Sequence, residues 1–256
     1  MKDFSFQGKV YLGRRGSDGK PEALRWVGDA SQLQIQLSTD TEERQESWSG
    51  KRLTSVRLTK STKAEFTLTL NDFSVGNLAL ALGATEQDVA TGTVTAESFP
   101  ASLEVGDIVA LDHRDVSDVV ISDSTSGTPA TLVEGTDYAI ESAAGGLIKV
   151  LSLGTTPYTQ PFTAAYSYAA TARLPLFTAG ASSERYILLD GLNTVDQTRA
   201  RVRLYRGSFD PASQLDLITD SLSSLEMKGS VLFDQVNAAD ANLGGFGRIE
   251  LPGEAA

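Results

Sequence analysis

Residues 31–38, Ser-Gln-Leu-Gln-Ile-Gln-Leu-Ser, alternate strictly, with Leu33, Ile35 and Leu37 on one face and Gln32, Gln34 and Gln36 on the other. That period predicts a strand with one face in a core and the other against water or a partner chain. Residues 63–70 repeat the pattern: Ala64, Phe66, Leu68 and Leu70 point inward, and Lys63, Glu65, Thr67 and Thr69 outward. Residues 222–233 form the last long two-faced run, with Leu225, Met227, Val231 and Phe233 opposite Ser224, Glu226, Lys228 and Ser230. Residues 9–13 and 24–27 flank the turn-rich 14–21 and read as a hairpin, in which Trp26 is expected to pack in the core. Residues 185–189 lead into a turn at 190–193. A strand at 199–205 follows, with Val202 and Leu204 opposite Arg201 and Arg203, and Pro211 marks a break before 214–219.

The pattern changes in three places. One helix is predicted after Asp72 as N-cap, with Val75, Leu78, Ala79 and Leu82 on its buried face and Gly83 as its stop. Residues 40–50, Asp-Thr-Glu-Glu-Arg-Gln-Glu-Ser-Trp-Ser-Gly, read as a charged loop too polar to bury, with Trp48 exposed or docked elsewhere. Residues 237–256, with Gly244-Gly245-Phe246-Gly247 and terminal alanines, read as a mobile arm. Between them, short strands at 106–111, 118–121, 136–140, 147–151 and 163–168 predict a small β domain over residues 92–170, inserted into a core made of 1–91 and 171–256, with a C-terminal arm from about 235. The fold class is mainly β.

Charge sharpens that division. The chain of 256 residues carries −11, and residues 92–170 supply −8 of it, ten acids against Arg114 and Lys149. Such a surface repels nucleic-acid phosphate and favours solubility. The absence of cysteine removes disulfides and thiolate chemistry and points weakly to a reducing compartment. No run approaches the ~20 apolar residues of a membrane span, so no membrane insertion is expected.

Candidate chemistry is sparse. His113 is the single histidine, which excludes imidazole clusters, and it is expected to be an exposed loop residue. No phosphate-cradling glycine loop and no Gly-x-Ser-x-Gly nucleophile turn occurs. Asp112, Asp115 and Asp118 have the spacing of calcium-loop carboxylates but lack the glycine and bidentate glutamate that such loops need, so they read as a solvated edge. Arg199, Arg201 and Arg203 read as a face that pairs with acidic neighbours. No catalytic residue, metal or cofactor is expected.

The order of elements is similar to that of major tail tube proteins of long-tailed, siphovirus-like bacteriophages or prophages. The match is carried by Val27-Gly28-Asp29-Ala30-Ser31-Gln32-Leu33, Asp40-x9-Gly50 and Thr67-Leu68-Thr69-Leu70-Asn71-Asp72-Phe73-Ser74 before the helix at 77–82. Leu189-Asp190-Gly191-Leu192-Asn193 and the run Pro211-x3-Leu215-x-Leu217-Ile218-Thr219-Asp220-x4-Leu225-x3-Gly229-x-Val231-Leu232-x-Asp234 complete it. The resemblance covers residues 8–85 and 170–236 as many weak matches. Gly135-Thr136-Asp137-Tyr138-Ala139-Ile140 before Gly146-Leu147-Ile148 also looks like the extra β domains of virion proteins.

The resemblance implies a β-sandwich or barrel with one flanking helix that forms homohexameric rings stacked into a tube, the conduit for DNA delivery. Its partners would then be copies of itself, a tape measure protein, a tail terminator, distal tail or baseplate proteins, and DNA in transient, non-specific passage. Its place would be the virion tail, and the host cytoplasm during assembly. Under this reading Gln32, Gln34, Gln36, Ser38, Lys63, Glu65, Thr67 and Thr69 are lumen candidates, while Asp40, Glu42, Glu43, Arg44, Glu46 and Trp48, with the termini, are inter-ring candidates. The acidic insert would lie on the exterior. A type VI secretion-like tube protein and a carbohydrate-binding β-sandwich of a virion or cell surface are the alternatives; the second requires exposed aromatic platforms. An enzyme is least favoured.

Overall fold

A computed structural model describes residues 3–180 and 184–252. The protein is mainly β, and its backbone divides into two compact units, one formed by residues up to Glu86 with those from Leu174 onward, the other by Gln87–Arg173. The first unit opens with β1 (Phe6–Arg15), β2 (Pro21–Trp26), β3 (Ala30–Gln45), β4 (Thr54–Leu70) and helix α1 (Val75–Ala81). The second holds β5 (Gln87–Val89), β6 (Gly92–Ser98), β7 (Ile108–Ala110), β8 (Val116–Ser122), β9 (Tyr138–Ser142), β10 (Leu147–Val150), β11 (Thr163–Tyr168) and β12 (Thr171–Arg173). The first unit resumes with β13 (Glu184–Asn193), β14 (Arg199–Phe209), β15 (Leu225–Val231), helix α2 (Gln235–Ala238) and β16 (Gly247–Glu250).

The first unit is one antiparallel sheet in the order β2-β1-β13-β14-β15-β4-β3, with β16 alongside β14. Chain connectivity forces it to curl. Six strand spacings would hold β2 and β3 roughly 29 Å apart if the sheet were flat. Only Val27, Gly28 and Asp29 join them, and four Cα steps reach at most about 14 Å. The link is pinned at both ends, Val27 N donating to Val10 O at 3.1 Å and Asn71 N to Asp29 O at 2.9 Å. Side chains from both ends of the strand order therefore meet in one core: Val10 and Leu12 of β1, Phe66 and Leu68 of β4, Ile187, Met227, and Leu80 and Ala81 of α1. Each large apolar side chain buried there contributes about 1.5–3 kcal/mol.

Gly28 makes the link possible. Its φ is +88°, and a Cβ there would stand 2.0 Å from Asp72 Oδ2, whereas Gly50, at φ +74°, has nothing within 4 Å. Gly28→Ala is expected to cost about 1–3 kcal/mol more than Gly50→Ala in denaturant unfolding, because only the first adds a clash to the shared backbone strain. Equal costs would show that the contact with Asp72 is easily relieved.

A second lock joins the β1–β2 turn to the end of β15. Arg15 grips Asp234 in a fork, with Nε to Oδ2 and Nη2 to Oδ1 both at 2.7 Å. The same carboxylate caps α2, accepting from Val236 N at 3.0 Å, and takes a bond from Asn237 Nδ2 at 2.9 Å. The side chain of Asp234 is fully buried.

The second unit packs two three-stranded sheets, β7-β10-β9 and β6-β11-β8, around Phe99, Ile121, Tyr138, Ile148, Phe162 and Tyr166, while β5 pairs with β12. Tyr138 ties the sheets together, its hydroxyl donating to Val119 O at 2.9 Å. Its carboxylates serve loops: Asp123 accepts from Ala130 N and Thr159 N, and Asp137 from Val133 N and the Tyr158 hydroxyl. The expected boundaries, 92 and 170, fall inside this unit because the pair β5–β12 extends it.

Several expectations are corrected. Asp40–Gln45 is strand, since β3 runs on with β4 as a long hairpin. Leu37 is 75 % exposed, because the sheet has left the core by that rung. Trp26 is 51 % exposed and lies under Lys9 Nζ, 5.2 Å from the ring centroid, rather than in the core. The N-cap of α1 is Ser74, which accepts from Asn77 N; Asn77, Leu80 and Ala81 are the buried residues, while Val75 is exposed and Leu78, Ala79 and Leu82 only partly covered. Asp190–Asn193 belongs to β13, paired through Asn193 with Phe6. Residues 214–219 form no strand, and Phe233 leaves β15 to meet Phe246 edge-on, half-exposed. The segment from 237 is no loose arm over its described residues: Gly247–Glu250 pairs with β14. Residues 253–256 lie outside the described residues.

Candidate assembly surface

The eight residues proposed from the sequence as a lining form a single four-rung polar ladder. On β3 and β4, Gln32 faces Thr69, Gln34 faces Thr67, Gln36 faces Glu65 and Ser38 faces Lys63. The ladder continues onto β15, where Glu226 sits beside Thr69, Lys228 beside Thr67 and Ser230 beside Glu65. Charges on this face balance locally: Lys228 Nζ lies 2.7 Å from Glu226 Oε1, and Gln32 Nε2 donates to Gln34 Oε1 at 3.3 Å. The face is broad, wet and close to neutral. Period-2 alternation in both strands made it legible in the sequence.

Beyond the rung Asp40–Ser61, β3 and β4 leave the sheet as a two-stranded ribbon of five rungs, roughly 17 Å long. Directly opposed residues share a face, so Glu43 with Arg57 and Glu42 with Leu58 lie on opposite sides, and both sides are in solvent. Ion pairs stitch the ribbon: Lys60 Nζ to Glu42 Oε2 at 2.9 Å and Arg57 Nε to Glu43 Oε1 at 3.7 Å. Leu53, Val56 and Leu58 are exposed on it, and Trp48 at its tip is 80 % exposed.

Glu46, unlike the other residues of the ribbon, is buried within its own chain and organises the tip. Its carboxylate turns inward and accepts from Trp48 N and Ser49 N at 2.9 Å, from Leu53 N at 3.3 Å, and from the Ser49 hydroxyl. Those donors, led by Ser49, pull its pKa down to about 2. The tip is thus held in one conformation with Trp48 outward. Asp40, Glu42, Glu43 and Arg44 remain exposed as expected. Sequence reasoning missed the second strand of the ribbon, although Val56 and Leu58 alternate with Ser55 and Arg57.

Two further surfaces stand open. The sheet is closed through the Val27–Asp29 link rather than by pairing β1 with β3, and a groove of about 500 Å³ lined by Gly8, Val10, Ala30 and Leu33 runs along that seam. The segment between β14 and β15 presents Leu217, Leu222 and Ile218, the last 97 % exposed. Two arginines of the β14 stripe are paired as expected, Arg201 and Arg203 reaching Glu250 on β16 at 3.9 and 3.4 Å, and Arg248 reaches it at 2.7 Å; Arg199 has no ion pair among the described residues.

In the second unit, His113 is half-buried rather than exposed. It stacks on Tyr168 with centroids 3.7 Å apart, and its Nδ1 lies 3.1 Å from the Tyr166 hydroxyl, which also bonds Glu97. Burial, with the Glu97 carboxylate, pushes the Tyr166 phenol well above its ordinary range. Asp112 and Asp118 are exposed, and Asp115 pairs with Arg114 at 2.8 Å; among the described residues no group of three or more His, Cys, Asp or Glu could hold a metal ion. No helix among them is long and apolar enough to cross a membrane.

Residues 3–250 match the model of a family described as "Protein of unknown function UCP028589". The chain belongs to this family. The match runs through both compact units, so the family's span takes in the second unit as well as the curled sheet. No curated protein matches the chain.

Proposed function

We propose that this protein is a structural subunit that polymerises as stacked six-membered rings into the tail tube of a long-tailed phage or prophage. The observation that carries the reading is the ribbon beyond Asp40: two strands solvated on both faces, stitched by ion pairs, with Trp48, Leu53, Val56 and Leu58 in water. An isolated two-stranded hairpin is marginal in water, and apolar side chains on a projecting arm gain their stabilisation when a neighbour covers them. Unpaired sheet edges beside the seam call for the same remedy, and a ring of copies supplies it.

The ladder from Gln32 to Thr69 suits the wall of a conduit. A neutral, amide-rich face offers passing DNA few phosphate contacts, so the duplex slides instead of sticking. The acidic second unit, by self-repulsion, belongs on the outside of such an assembly. A carbohydrate-binding reading gains less: Trp26 and Trp48 are exposed, but neither has an aromatic neighbour among the described residues, so no paired platform forms.

Negative-stain electron microscopy of the purified chain at high concentration tests the proposal. Rings with six-fold symmetry, or tubes built from them, are expected. A homogeneous population of compact monomers across concentration and salt refutes it.

A further inference from the structure

Between β1, β2, α1 and the start of β13 lies a cavity of about 670 Å³, with the apolar Leu12 and Leu80 and the exposed, charged Arg25, Glu22 and Glu86 among its lining. Strand direction places it at the opposite end of the first unit from the ribbon. Neighbouring strands of the sheet are antiparallel throughout, so β1 and β4, four places apart in the order, run the same way. β4 enters the sheet from the ribbon at Ser61 and finishes at Leu70, just before α1, while β1 finishes at Arg15. The cavity sits where both strands finish, and the ribbon leaves where β4 enters. From Ser61 to Leu70 is roughly 30 Å of strand, and the ribbon points further away, so a tip cannot reach the cavity of its own chain.

Tip and cavity suit each other chemically. Trp48 stands outward, 80 % exposed, on a turn that Glu46 holds in one conformation. Around it are the exposed cations Arg44, Lys51 and Arg52, which have no ion pair among the described residues, and neither have Glu22 and Glu86 beside the cavity. The guanidinium of Arg25 is positioned by the fold: its Nη2 donates to Asn77 Oδ1 at 2.8 Å, and Asn77 is wholly buried, fixed by its own bond to Val27 O at 2.8 Å. A guanidinium fixed in this way offers a flat cationic face to an indole.

We propose that this cavity is the socket for the ribbon tip of a second copy of the chain, with Trp48 seated on Leu12 and Leu80 against Arg25, and Glu22 and Glu86 meeting the tip cations. The inference rests on the stacked-ring reading and deepens it by naming what covers Trp48. Plug and socket lie at opposite ends of one unit, so the contact is head-to-tail and passes from copy to copy along a stack instead of closing in a pair. Both partners are held before they meet, which lowers the ordering cost, and a tryptophan in a pocket beside an arginine is the kind of anchor that dominates interfaces.

The chain has no cysteine, so an introduced pair reports the contact cleanly. Ser47→Cys, beside Trp48, is combined with Glu22→Cys, and the protein is oxidised at high concentration, viewed by electron microscopy and run on a denaturing, non-reducing gel. A ladder of covalent multimers is expected from the double variant, while each single variant stays monomeric on the gel. Replacing Glu22→Cys by Ser31→Cys, in the seam groove, should give no ladder. Tubes without a ladder overturn the socket and leave the tube reading standing; a ladder without rings or tubes supports the socket and refutes the tube. Absence of both overturns both. In a Trp26→Phe chain without cysteines, Trp48 is the sole tryptophan, and its emission should shift to the blue as polymer forms; polymer with unchanged emission overturns the socket whatever the cysteine variants do.

Discussion

Replacing residues 41–60 with Asn-Gly is expected to abolish tube formation while leaving the rest of the protein folded. Asp40 and Ser61 are directly paired, so a two-residue Asn-Gly turn closes the shortened hairpin without changing register. Between Val27 and Ala64 the only buried side chain is that of Glu46, which serves the ribbon's own tip, so the truncation removes nothing from the core. It does remove Trp48, Leu53, Val56 and Leu58, each of which would contribute about 1.5–3 kcal/mol if fully covered by a neighbouring subunit. Sedimentation and electron microscopy of the variant beside the parent chain give the answer. Loss of polymer with unchanged unfolding supports the ribbon as the joint between rings, and tubes of normal length exclude that role.

Asp234→Ala is expected to destabilise the first unit by about 3–5 kcal/mol, the cost of breaking a buried ion pair from one side. Arg15 then loses the carboxylate that its fork holds, and Val236 N and Asn237 Nδ2 lose their acceptor at the same site. Both tryptophans of the chain, Trp26 and Trp48, belong to that unit, so urea unfolding followed by tryptophan fluorescence reports on it selectively. The wild type should also show a pH dependence that the variant lacks. The Arg15 guanidinium, with the Asn237 donors, holds the native Asp234 carboxyl well below the ordinary carboxylate range. Its contribution is therefore complete above about pH 5, where the unfolded group is ionised too, and is lost as pH falls through the ordinary value of about 3.9 and below. A loss under about 1 kcal/mol in the variant, or an unchanged acid limb, would mean that the fork adds little to stability.

The two-faced strands were legible in the sequence because alternation reports directly which side chains a sheet must hide. Ala64, Phe66, Leu68 and Leu70 are buried as their spacing requires, and Gln32, Gln34 and Gln36 are wet for the same reason. The mainly β class and the inserted β segment followed from local pattern, turn residues and charge. Where partners lie far apart in sequence, local pattern carried no signal. Residues 40–45 are too polar for a core, and polarity was read as loop; in the fold they are strand because Thr54–Ser61 pairs with them and neither face needs a core. Gly247–Glu250 has a glycine-rich approach that resembles a free tail, yet it joins β14, and Glu250 meets Arg201, Arg203 and Arg248 only there.

By itself, then, the amino-acid order determined which residues alternate, where turns break the chain and where acid accumulates, since these depend on neighbours within a few positions. Tertiary structure alone decided that the sheet curls, because that follows from three residues having to join strands at opposite ends of the strand order. It alone brought Arg14, Arg25 and Arg185 around one cavity and Asp234 under Arg15, pairings separated by up to 219 positions that no period in the chain encodes.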